Sequence, residues 1–188
     1  MADHGLKPRH ELSLSIFFAM TRGVAIPAYG AYKDCMIDWL PWSLLIASTL
    51  HITEEFLWPG GFMRWYQGYR AGGAGVTARF LIIVNAVLLI VCCKIGFLGY
   101  KKAGVNYWLG IAALLCANGI WHVWASYKSH SYSPGVITGV LFYVPLATYG
   151  YVHFLRAGEA SLRTAAIAGI IGGSYPFWSA LFHLRTKP

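Results

Sequence analysis

Residues 38–58 read DWLPWSLLIASTLHITEEFLW. The stretch has the length and apolar character of a helix crossing about 30 Å of hydrocarbon, which takes roughly 20 residues. HITEE, residues 51–55, then sets a histidine and two glutamates where apolar side chains belong. One ionisable residue inside a span costs about 2.5–3.5 kcal/mol on insertion scales. Three in one helix must face a protein interior and find partners there, so this segment predicts a helix in a bundle rather than a lone anchor.

The rest of the chain supports that reading. Of 188 residues, 57% are hydrophobic and 12% charged, against about 25% charged in soluble domains. Mean hydropathy is +0.51. Five apolar runs predict spans at 38–58, 79–99, 105–127, 134–155 and 162–184. Trp and Tyr gather at their ends, as in an interfacial belt. The expected fold is all-α, a polytopic transmembrane helical bundle. Residues 38–188 form the membrane domain and residues 1–37 an N-terminal extension. Within the extension, residues 11–32 read as an interfacial or re-entrant helix, with a sixth span as the alternative. The linker 59–78, rich in glycine and carrying Arg64 and Arg70, reads as a loop at one membrane face. Ala165, Gly169 and Gly173, four apart, suit close helix packing within the chain.

The net charge is +8. The basic residues fall mainly in short loops, where they set topology and meet anionic head groups. No nucleic-acid recognition motif accompanies them, so nucleic acid is not an expected partner. Cys35, Cys92, Cys93 and Cys116 show no CxxC spacing. The last three lie in apolar runs and read as small buried hydrophobes.

If the spans alternate in direction, depths follow from about 1.5 Å of rise per residue. His51, Glu54, Glu55, Asn85, Asn118 and His122 then converge in one half of the bundle. Tyr132, Ser133, Pro134 and Gly135 start the fourth span at the same face. On a helix, residues three and four apart share a side, so both Glu54 and Glu55 can reach His51. His51 and His122 with one of the two acids make a catalytic zinc set with a position left for water. The remaining glutamate would serve as acid or base. Asn85, Asn118, Tyr132 and Arg64 are candidates for orienting ligands or substrate. A purely structural polar cluster is the competing reading, as is a head-group contact for Arg64. A four-carboxylate di-iron centre does not fit, because the spans supply only two acids at that depth.

His51-x-x-Glu54-Glu55, with Pro59 following, Asn118-x-x-x-His122 and Tyr132-Ser133-Pro134-Gly135 together resemble the HXXEE family of small multi-span membrane proteins. The resemblance covers roughly residues 39–182. It implies a helical membrane domain with a polar intramembrane site at His51, Glu54, Glu55 and His122, and supplies no activity.

The leading expectation is a metal-dependent membrane enzyme acting on a lipophilic substrate. Zinc is favoured over iron, and hydrolysis is the default reaction. The alternatives are a metal-free acid/base isomerase or cyclase of a lipid or terpenoid, and a transporter or proton-coupled permease. Five spans without an inverted repeat weigh against the last.

Overall fold

A computed structural model of the chain describes residues 39–57, 61–69 and 77–178, all within one compact unit, Asp38–Pro188. Residues 11–32, Cys35 and Arg70, on which sequence expectations were placed, lie outside the described residues. The described chain is all-α: α1 (Trp39–Leu57), α2 (Phe62–Tyr69), α3 (Ala78–Leu98), α4 (Lys102–Ser129), α5 (Val136–Arg156) and α6 (Leu162–Gly173).

Local sequence sets several helix ends. The Thr77 hydroxyl accepts from the Phe80 amide at 3.1 Å and opens α3. The Ser161 hydroxyl does the same for Thr164 at 3.1 Å in α6. Each satisfies one of the amides a helix start leaves unpaired. The expected start of the fourth span is displaced: Tyr132–Gly135 form an irregular turn, and the helix begins at Val136.

α4 is the hub, touching α1, α3, α5 and α6. Its Trp108, Leu109, Ala112 and Leu115 are buried, and the Trp108 indole donates to the Leu40 carbonyl of α1 at 2.9 Å. Where α4 meets α5, backbone lies on backbone. A Cβ added to Gly139 would sit 2.8 Å from the Gly119 Cα. α5 widens into a π-turn over Gly139–Tyr143 at this crossing, a distortion that often accompanies functional sites.

The small-residue face of α6 is corrected by one position. Ala165 is buried and Gly169 lies against the Tyr151 hydroxyl, but the close approach to α4 is made by Gly172, at the Gly110 carbonyl; a Cβ added to Gly173 would meet nothing within 4 Å. Positions 165, 169 and 172 follow the i, i+4, i+7 stripe of one helix side, whereas 173 has rotated away from it. The linker expected as a loop is also corrected, since it contains α2.

Among the described residues three helices, Ala78–Leu98, Lys102–Ser129 and Val136–Arg156, are long and apolar enough to cross a membrane. That is fewer than the five spans expected, although each of the five runs contains a helix. α1 has 19 residues, but His51, Glu54 and Glu55 dilute its apolar character. α6 has 12 residues, short of the roughly 20 a span needs. Large apolar side chains point outward: Ile90 of α3 is 68% exposed, Leu141 of α5 61% and Ile170 of α6 72%. Soluble monomers seldom present so much contiguous apolar surface.

Candidate functional site

His51 and Glu55 occupy successive turns of α1, and His122 comes from α4. Both imidazoles are buried, at 2% and 1% exposure. Glu55 Oε1 lies 3.4 Å from His51 Nε2 and 3.3 Å from His122 Nε2. The three ligand atoms fall within 4.8 Å of one another. The imidazoles meet edge to face with centroids 5.0 Å apart.

The partners of the other ring nitrogens fix the chemistry. His51 Nδ1 lies 2.8 Å from Thr138 Oγ1. The Thr138 hydroxyl gives its hydrogen to Glu54 Oε2 at 2.5 Å, because a carboxylate is the strongest acceptor nearby. Thr138 Oγ1 must then accept from His51 Nδ1–H, which leaves a lone pair on His51 Nε2, facing Glu55. His122 is oriented in the same sense, with Nδ1 3.0 Å from Ser133 Oγ. The backbone amide of Ser133 is in turn held by Ser126 Oγ at 3.0 Å. With Ser133 accepting from His122 Nδ1, two imidazole lone pairs and a carboxylate oxygen meet at one point, an arrangement that a cation or a proton among them satisfies.

Glu54 does something else. Its carboxylate accepts from the Tyr132 hydroxyl, from the amides of Gly135 (2.9 Å), Ile137 (3.1 Å) and Thr138 (2.8 Å), and from Thr138 Oγ1. The residue that precedes α5, Gly135, has no side chain to cap it. Glu54 of α1 caps α5 instead, placing its negative charge at the positive end of the helix dipole. With its oxygens so occupied, Glu54 is not among the three converging ligand residues, which are His51, Glu55 and His122. Tyr132 belongs to this capping network. Burial, with the Glu54 carboxylate beside it, pushes its phenol well above the usual range, so it stays a donor.

Gly135 is required twice over. Its φ is 102°, a region L side chains avoid. A Cβ there would lie 2.7 Å from His51 Cε1 and 2.8 Å from His122 Cε1. The π-turn places Tyr143 against His51, with ring centroids 4.5 Å apart.

Asn118 also reaches the cluster, with Nδ2 3.1 Å from His51 Nε2. Asn85 lines the same cavity of about 340 Å³ as His51, Glu55, Asn118 and His122. Arg64 does not: it is exposed on α2 and is not part of that lining. His130 ends α4 in a left-handed turn, and His153 stacks on Tyr149 at 5.9 Å near the far end of α5. Sequence reasoning missed Thr138 and Ser126, which carry no motif, and placed Ser133 at the right face without assigning it a partner. It also missed Phe62 and Tyr66 of α2, which help to enclose the cavity; Phe62 packs 5.7 Å from His122. The amphipathic spacing of FMRWYQGY was the available signal for α2.

The chain matches the family of proteins of unknown function with an HXXEE motif over residues 42–150. The match spans more than half of the 188 residues and takes in α1, α4 and the first part of α5. No curated protein and no solved structure matches the chain.

Proposed function

The chain belongs to the HXXEE family, and we propose that it is a membrane-embedded, metal-dependent enzyme acting on a lipophilic substrate. His51 Nε2, His122 Nε2 and Glu55 Oε1 hold a divalent cation, with zinc favoured. The observation that carries this is the convergence of one ring nitrogen from each imidazole and one carboxylate oxygen within 4.8 Å. Two histidines and a carboxylate are a catalytic zinc donor set, with one position left open. Such an ion supplies a Lewis acid and a water of lowered pKa, which makes hydrolysis the default reaction; the same donors also accept iron. Thr138 and Ser133 hold the two rings with Nε2 inward, and Glu54 holds Thr138. α1 and α6 complete a multi-pass bundle around α3, α4 and α5. The cavity beside the ligands is walled largely by Val, Leu, Ile and Phe, which favours an apolar substrate.

Metal analysis of the full chain, purified in detergent without added metal, tests the proposal. About one equivalent is expected for a single three-ligand site, lost in His51→Ala. Less than half an equivalent, unchanged by that substitution, overturns it. A proton in place of the metal is the second reading, favoured by the Asn118 amide already lying 3.1 Å from His51 Nε2. It makes the cluster an acid/base pair for isomerisation or cyclisation, and turnover that is insensitive to chelators selects it.

A further inference from the structure

The cavity has a polar end and an apolar end. On α4, Asn118 and His122 mark the polar end, while Leu114, Leu115 and Ile111 line the remainder. Seven residues separate Asn118 from Ile111, so the apolar part runs for about 10 Å at helical rise. On α3, Leu88 and Val91 form the facing wall. Asn85 interrupts this wall. Its amide nitrogen is buried and has no hydrogen-bond partner. A donor left unpaired in apolar surroundings is costly, and buried polar groups are paired as a rule. Asn85 also lines the cavity, so a turn of its side chain would bring that donor to an occupant.

We infer that Asn85 is a substrate-binding residue, and that the substrate is an amphiphile with one acceptor oxygen and a single apolar chain. The oxygen, of an ester, amide or acid carbonyl, takes the Asn85 hydrogen bond at the polar end. The chain lies between α3 and α4. This rests on the proposed function for the chemistry at the cluster, but not for the binding itself, since cavity and donor exist without a metal. A carbonyl held in the cavity that the three-ligand cluster also lines is the kind of group a hydrolase would act on, so the inference narrows the substrate class of that site.

The test is photolabelling of the full chain, reconstituted in lipid nanodiscs and stripped of metal with a chelator. One probe is a fatty acid methyl ester with a diazirine in its chain; the other is the matching diazirine alkane. Labelled residues are read by mass spectrometry. Cavity-lining Leu88, Val91, Leu114 and Leu115 are scored against outward-facing Ile82 and Ile90. The ester is expected to label the cavity positions at about tenfold lower concentration than the alkane, the size of one hydrogen bond to an otherwise orphaned donor. Asn85→Leu, close in size and apolar, should make the two probes equal while alkane labelling persists, which shows that the cavity is still formed. Equal labelling by both probes in the wild type overturns the inference. So does an ester preference that survives Asn85→Leu, or labelling confined to the outward-facing positions. Metal content is measured on separate samples, so loss of the metal reading and loss of this one are distinguishable.

Discussion

Thr138→Val tests the orientation of His51 with little change in shape. Valine is close in volume to threonine and equally branched, so α5 keeps its packing while the hydroxyl is lost. Thr138 Oγ1 accepts from His51 Nδ1 at 2.8 Å and donates to Glu54 Oε2 at 2.5 Å. Without it, a buried imidazole N–H has no acceptor, at a cost of about 1–3 kcal/mol. His51 can recover by moving the hydrogen to Nε2, but that removes the lone pair that would meet a metal. Either outcome weakens binding. Loss of a partner behind a metal-ligating histidine typically costs 10–100-fold in affinity, and about 1.4 kcal/mol per tenfold agrees with the range above. The assay is competition for zinc between the detergent-solubilised protein and a chromophoric chelator, comparing wild type, Thr138→Val and Thr138→Ser. Serine keeps the hydroxyl and should recover most of the affinity. Zinc affinity in Thr138→Val equal to wild type, or Thr138→Ser as weak as Thr138→Val, would refute the reasoning.

The two adjacent acids should separate by their effects. Glu54→Ala leaves the capping donors of α5 unpaired at about 1–3 kcal/mol each where they stay buried, so thermal unfolding should show a loss above about 2 kcal/mol; Glu55→Gln should lose bound metal and unfold near the temperature of the chelator-treated wild type. Gly135→Ala should cost at least about 1–2 kcal/mol from its backbone conformation alone and, by displacing both imidazoles, eliminate metal measured by elemental analysis; retention of a full equivalent would contradict the geometry. Chelation should lower the unfolding temperature and zinc should restore it, because a ligand at a hundred times its Kd stabilises by about 2.7 kcal/mol. An unchanged unfolding temperature in the presence of chelator would count against a bound metal.

Much of the fold was legible because the signals are local. Apolar runs marked α1, α3, α4, α5 and α6; the caps at Thr77 and Ser161, three residues from the amides they hold, were not read from the sequence. The pairing of His51 with Glu55 follows from helical spacing. The arrival of His122 from another helix follows from spans that reverse direction. The number of helices able to cross a membrane was less legible, because the ionisable groups that mark the site also make α1 more polar than a span.

By itself the sequence determined that this is an all-α chain with polar groups from α1 and α4 gathered among apolar helices. It left Glu54 and Glu55 equivalent, since i+3 and i+4 both face His51. Tertiary structure decided between them. The N-terminus of α5 arrives beside α1 with three backbone amides and the Thr138 hydroxyl directed at Glu54, leaving Glu55 to face the imidazoles. That arrival depends on the Gly119–Gly139 contact between α4 and α5 and on the left-handed turn at Gly135. These are contacts between backbones far apart in the chain, and no local periodicity encodes them.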